Sequence, residues 1–135
     1  MTEVSPPHNL GAEQGLIGAV LLDDRLHEHV ADITPDHFFD PMHVELWRLI
    51  CDVLAGNGRA DPVTLRPHIQ DWRLIGDRTV FAYLGDLAVN GCSPASLGAY
   101  AQEVKRMSLR RRVSVLASDA ATAALDVSTG DRFEA

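Results

Sequence analysis

Apolar residues recur along this chain at helical spacing almost from end to end. Leu10, Ile17 and Leu21, with Leu16 and Val20 beside them, mark one face of a helix that Asn9 can cap. Leu26, Val30 and Ile33 form a second, shorter stripe. Thr34-Pro35-Asp36 offers a cap, a first-turn proline and an acid for the positive dipole end, so it predicts a helix start ahead of Phe38-Phe39. Asp40-Pro41 repeats that signal, and Val44, Trp47, Ile50, Cys51 and Leu54 follow at helical spacing up to a stop at Gly56-Asn57-Gly58. Asp61-Pro62 opens a further helix, in which Pro67 must fall in the first turn or bend it. Val80 to Val89 reads as another, ended by Asn90-Gly91. Ser93-Pro94 starts the last one, and no proline interrupts the chain from there to Leu125. As one helix that stretch would be about 48 Å long. A compact domain of this size is narrower, so part of it must project or break. No segment shows the period-2 alternation of strands. The pattern predicts an all-α fold, with a compact multi-helix head over residues 1–92 and a long helix over 93–135.

The final helix speaks to assembly. Leu109, Val113, Leu116, Ala120, Ala123 and Val127 are spaced 4, 3, 4, 3, 4, which is a coiled-coil seam and a candidate oligomer interface. Ala117, Ala121 and Ala124 add small residues that let another helix approach closely. Upstream, Tyr100, Val104 and Met107 keep the same spacing, but the next position in register is Arg111. The phase therefore changes near residue 108, and different partners are expected to cover the two halves. The alternative is that the distal stripe packs on the domain's own core, although a core would recruit larger residues than these alanines.

Composition narrows the classes. A chain of 135 residues is one domain by length, and 46% hydrophobic with 23% charged is an ordinary globular balance. The longest apolar stretch, Leu16 to Leu22, is far short of the roughly 20 residues a membrane span needs. The N-terminus has no basic and apolar leader pattern, so a cytoplasmic location is expected. Cys51 and Cys92 form no CxxC pairing, which points to reduced thiols. Twelve basic and nineteen acidic residues leave a net charge of −7, and residues 1–60 hold three arginines against ten carboxylates. Such a surface repels nucleic acid. Lys105, Arg106, Arg110, Arg111 and Arg112 are the exception. They read either as a solvated helix face or as a docking strip for an acidic partner segment or for phosphates. A stand-alone helical DNA-binding module using residues 105–112 is the rival reading, and the overall charge argues against it.

No active site is expected. His37, Asp40 and His43 recur every third residue, but the helix start at Asp40-Pro41 divides them, and His27 and His29 point to different sides of a helix. None reproduces HExxH or zinc spacings, so the six histidines read as structural, with no metal site. Asp23-Asp24 ends one helix and caps the next. Gly56-Asn57-Gly58 follows no strand and precedes no Gly-Lys-Ser/Thr, so it is no phosphate loop.

A set of residues nevertheless resembles one known family. It begins at Pro7-His8-Asn9-Leu10, Ala12-Glu13-Gln14, Gly18 and Leu21-Leu22-Asp23. It continues through Phe38-Phe39, His43, Ile50, Leu54 and Asp61-Pro62-Val63-Thr64-Leu65. Tyr83-Leu84, Leu87, Ser93-Pro94, Tyr100-Ala101, Val104 and Arg111-Arg112 complete it. In this order they resemble the N-terminal domain of the bacterial replicative DNA helicase of the DnaB type. Gly11, where a charged helix former is usual, and Gly76-Asp77, in place of Gly-Gly, depart from the pattern. The resemblance implies a non-catalytic domain whose long helix is the first arm of a helical hairpin, here expected to be truncated. It implies pairing of hairpins between subunits into a trimer of dimers, as a collar on a hexameric motor. It implies docking of the primase C-terminal domain and of a helicase loader. ATP and Mg belong, on the same resemblance, to a RecA-like domain of the full-length family, expected to be missing from this chain together with its Walker A motif. No cofactor is expected within these residues.

Overall fold

Residues 5–126 are described by a computed structural model. Helix α1 (Leu10–Leu22) opens on Asn9, whose side chain accepts from the Ala12 amide at 3.0 Å. Its residues from Ala12 to Leu21 are buried on nearly every side, with Gln14 only partly so. A helix apolar all round belongs at the centre of a fold. Around it pack α2 (Pro41–Ala55), α4 (Val80–Val89) and the first part of α5 (Leu97–Leu125), while α3 (Pro62–Ile69) closes against α4. Leu16, Ile17, Leu46, Trp47, Ile50, Leu65 and Leu84 are fully enclosed in this single core. Among the described residues there is no strand, only an isolated bridge between Ile75 and Arg78. Their two backbone bonds of 2.8 and 3.0 Å enclose a tight turn, and Gly76 takes the φ of +64° that the turn requires.

The contact of α1 with α4 depends on missing side chains. A Cβ on Gly18 would overlap the Leu87 carbonyl and stand 2.7 Å from the Gly91 Cα. A Cβ on Gly91 would overlap Gly18 in return. The two backbones touch there, and the Cys92 amide donates to the Gly15 carbonyl at 3.0 Å.

Several elements differ from the reading above. Within the stripe Leu26–Ile33 only a 3-10 segment, Asp24–Val30, forms; it buries Val30, and Ile33 is buried beyond the turn that follows. Thr34-Pro35-Asp36 starts only a single 3-10 turn, Pro35–His37, and Phe38 is already extended. The reason lies elsewhere in the chain: the amides of Phe39 and Asp40 bond the buried carboxylate of Glu13, and a continuing helix would withdraw them. Pro67 sits sixth in α3, beyond the first turn, on an exposed face of a helix that ends two residues later. The α2 stop is a Schellman arrangement in which Asn57, not a glycine, takes the positive φ of 63°. Helix α5 is preceded by a 3-10 turn at Pro94–Ser96 and runs unbroken for 29 residues, about 43 Å. Of the two alternatives, it projects. At the start of this helix, Leu97, Ala101, Val104 and Met107 are buried with the head's core.

Candidate functional site

Helix α5 has two halves with different surroundings. Leu97, Ala101, Val104, Met107 and Ser108 are buried against the head. After Ser108 only Arg111 is even partly covered, and residues 112–126 are exposed throughout. The change falls near residue 108, where the apolar register shifts.

The predicted seam lies on the uncovered half. Leu109, Val113 and Leu116 are 59%, 56% and 67% exposed, and Ala120 and Ala123 are exposed with them. Val127 lies outside the described residues. The seam does not fold back on the domain's own core. Val115 and Leu125 expose further apolar surface on the same helix. Large aliphatic side chains thus stand in solvent along the projecting helix.

The basic run separates into two sets. Lys105 pairs with Asp32 of the head, and Arg106 reaches Glu103 one turn back at 3.1 Å. These pairings hold the Asp32 and Glu103 carboxyls below the usual carboxylate range. Arg111 donates to two backbone carbonyls, of Pro7 at 2.9 Å and of His37 at 2.7 Å, and its guanidinium lies over the Phe39 ring. It occupies the next inward position after Tyr100, Val104 and Met107, where α5 leaves the core and a long side chain can reach back to the rim. Arg110 and Arg112 are exposed. The five cations are therefore not one continuous strip: Lys105 and Arg111 bond the head, the exposed Arg106 pairs within α5, and Arg110 and Arg112 face solvent.

Beneath this surface runs a polar network that spacing alone did not reveal. Glu13 is 2% and His43 1% exposed. The Glu13 carboxylate accepts from the Phe39 amide at 2.7 Å, the Asp40 amide at 3.3 Å and His43 Nδ1 at 2.8 Å. An ionised carboxylate only accepts, so His43 carries its proton on Nδ1 in this bond. Nε2 then accepts from the Tyr83 hydroxyl at 2.6 Å, which in turn accepts from Gln14 at 3.3 Å. Burial pushes the Tyr83 phenol upward, which keeps it a donor. The arrangement copies the polarity of a carboxylate–imidazole–hydroxyl relay, yet every member is bonded, with Glu13 and His43 enclosed and Tyr83 half-buried, so it locks α1, α2 and α4 together. Its one sequence signal was a glutamate inside an otherwise apolar helix. A second polar pair, Cys51 and His27, is 3.5 Å apart. Burial pushes the thiol up and the imidazole down, which leaves both neutral. Among the described residues no group of three or more His, Cys, Asp or Glu could hold a metal, and no helix is long and apolar enough to cross a membrane.

An all-helical head that carries one long projecting helix is thus the class of domain this sequence builds. The chain belongs to the family of the DnaB-like helicase N terminal domain, which matches residues 5–106. It is 27% identical over 121 residues to the replicative DNA helicase DnaB of Buchnera aphidicola, covering 89% of this chain and 26% of that protein. The corresponding helicase of Pasteurella multocida is 26% identical over 119 residues, with 87% and 26% covered. The chain thus spans about a quarter of the length of these relatives. The crystal structure of the N-terminal domain of DnaB helicase from Mycobacterium tuberculosis superposes with a TM-score of 0.80 at 26% identity, covering 95% of this chain and 94% of that one. A DnaB-like replicative helicase, solved to describe its interactions with primase, shares the fold with a TM-score of 0.70 at 23% identity, over 82% of this chain and 26% of that one.

Proposed function

We propose that this chain is the assembly and partner-docking domain of a hexameric replicative DNA helicase, with no catalytic role of its own. ATP-dependent unwinding, with its Mg, would reside in the part of such helicases that this chain does not span. The observation that carries the reading is the uncovered apolar face of α5, where Leu109, Val113 and Leu116 stand in solvent. Burying one large aliphatic side chain fully contributes roughly 1.5–3 kcal/mol. Three per subunit, doubled across a symmetric pair, contribute at most about 9–18 kcal/mol against an association cost of about 4–15 kcal/mol, so a weak dimer is expected, with larger rings at high concentration. Sedimentation tests this. Wild type should show concentration-dependent dimers and Leu116→Asp should remain monomeric. A wild-type monomer at hundreds of micromolar, or an oligomer indifferent to the substitution, would remove the seam from assembly.

The partner we propose is the C-terminal domain of primase, with a helicase loader as a second client. Support comes from the fold shared with the helicase whose structure concerns its interactions with primase. It also comes from Arg110 and Arg112, which face solvent beside the head and can present planar forks to carboxylates. Exposed pairs of this kind set encounter rate and orientation, so affinity should be modest and fall with salt. In a titration with the cognate primase domain, the Arg110→Glu, Arg112→Glu double variant should bind more weakly while still folded and oligomeric. Unchanged affinity would move the docking site elsewhere. The DNA-binding alternative has less support, since Lys105 and Arg111 are already held by the head and Arg106 is paired with Glu103.

A further inference from the structure

Self-association leaves the opposite side of α5 unused. There Arg111 is partly buried, yet its two bonds go to backbone carbonyls, and no carboxylate bonds it among the described residues. Carbonyl oxygens carry only partial charge, so the guanidinium is fixed in place without a bonded carboxylate, and among the described residues Asp36 is the one acid lining the depression beside it. Phe39 supports it from one direction, and His8 stacks on Phe39 at 4.3 Å between ring centres, which seats the segment 5–8 beside the helix. A groove of about 710 Å³ runs between that segment and α5, lined by Phe39, Met107, Arg110, Arg111 and Val115. Beyond Arg111 lies a second depression of about 480 Å³ that shares Arg111 and Val115 and adds Leu116 and Arg112. The result is an apolar floor rimmed by three arginines on a chain whose net charge is −7.

We propose that this groove docks a short acidic segment of a partner protein that carries a bulky apolar side chain. The apolar side chain enters between Phe39, Met107 and Val115, and flanking carboxylates pair with Arg110 and Arg111. Three considerations select this occupant. A pre-oriented arginine fork gives a carboxylate two parallel hydrogen bonds at little ordering cost. The volume suits one or two side chains of a peptide, within the range of ligand sites. The floor is apolar and the surrounding head acidic, which disfavours a phosphate backbone. With residues about 100° apart around a helix, Arg111 and Val115 lie across α5 from Leu109 and Val113, so a peptide seated on Phe39, Met107 and Val115 leaves those two seam positions free, while Leu116 borders the second depression. The proposal rests on the partner-docking half of the proposed function and supplies the partner's chemistry.

The test is fluorescence anisotropy on the whole chain with a labelled peptide of about twelve residues in which glutamates flank a leucine and a phenylalanine. Saturable binding is expected, weakened by added salt. It should fall at least tenfold in Arg110→Glu and in Val115→Asp, both of which alter exposed side chains, with circular dichroism and sedimentation unchanged. Peptides with glutamine for glutamate, or serine for both apolar residues, should each lose binding. No saturation at millimolar peptide, or equal affinity in both variants, overturns the proposal. So does tighter binding of a thymidine oligonucleotide, which would make this a phosphate surface, or loss of the dimer in Arg110→Glu, which would place a second copy in the groove. A Leu116→Asp monomer that still binds peptide supports the groove. A wild-type chain that dimerises but takes up no peptide refutes the groove and spares the assembly reading.

Discussion

Glu13 shows how much one residue can organise. Its carboxylate gathers the amides of Phe39 and Asp40 and the ring of His43, so it fixes the loop that leads into α2. That loop presents the His37 carbonyl and the Phe39 ring to Arg111, which carries the effect of a buried acid to the root of the projecting helix. Glu13→Ala would leave two buried amides and an imidazole without their acceptor. Leaving a buried donor without its acceptor costs about 1–3 kcal/mol, so the three together should cost at least about 3 kcal/mol. Urea unfolding should show a loss of that size, with Glu13→Gln recovering part of it through its remaining carbonyl oxygen. A loss under about 1 kcal/mol would mean the loop is held by other contacts. None of this geometry could be read from spacing, since Glu13, His43 and Tyr83 are 30 and 40 positions apart and meet only when three helices pack.

At the scale of elements, the close approach of α1 and α4 decides which substitutions the head tolerates. Gly18→Ala would drive a methyl into the Leu87 carbonyl, and backbone cannot swing aside as a side chain can. The helices must separate, at a cost of about 1–3 kcal/mol or more. Gly85, in the middle of α4, meets nothing within 4 Å, so alanine there should stabilise by up to about 1 kcal/mol through helix propensity. Opposite signs for the two glycine-to-alanine changes in chemical denaturation are the expected outcome, and equal signs would mean α1 and α4 are not in backbone contact. Helix starts were legible wherever a cap and a proline acted locally: Asp40-Pro41 and Asp61-Pro62 both begin helices, with side-chain bonds of 2.8 and 2.9 Å to the first-turn amides. The same signal at Thr34-Pro35 gave one 3-10 turn, because a carboxylate from another helix claimed the amides that follow.

The whole molecule is a head with one uncovered arm, and the arm's exposed face adds nothing to the head's core. Leu116→Asp should accordingly change the unfolding free energy of the monomer by no more than about 0.5 kcal/mol while it abolishes pairing, since a surface substitution away from the core seldom does more. A larger loss would show that the seam helps to hold the head. The all-helical class, most helix boundaries and the shift of register near residue 108 came from periodicity and caps, which act within a few residues along the chain and so are written in local order. The family resemblance came from residues in sequence order, and the matching family spans residues 5–106. Burial of Leu97, Ala101, Val104 and Met107 in the head, the division of five neighbouring cations into two bonded to the head and three exposed, and the Glu13 network were decided only by tertiary structure. The physical reason is the same in each case: a charge run has one pattern whether its cations meet solvent or carbonyls, and which it meets depends on partners up to 104 residues away.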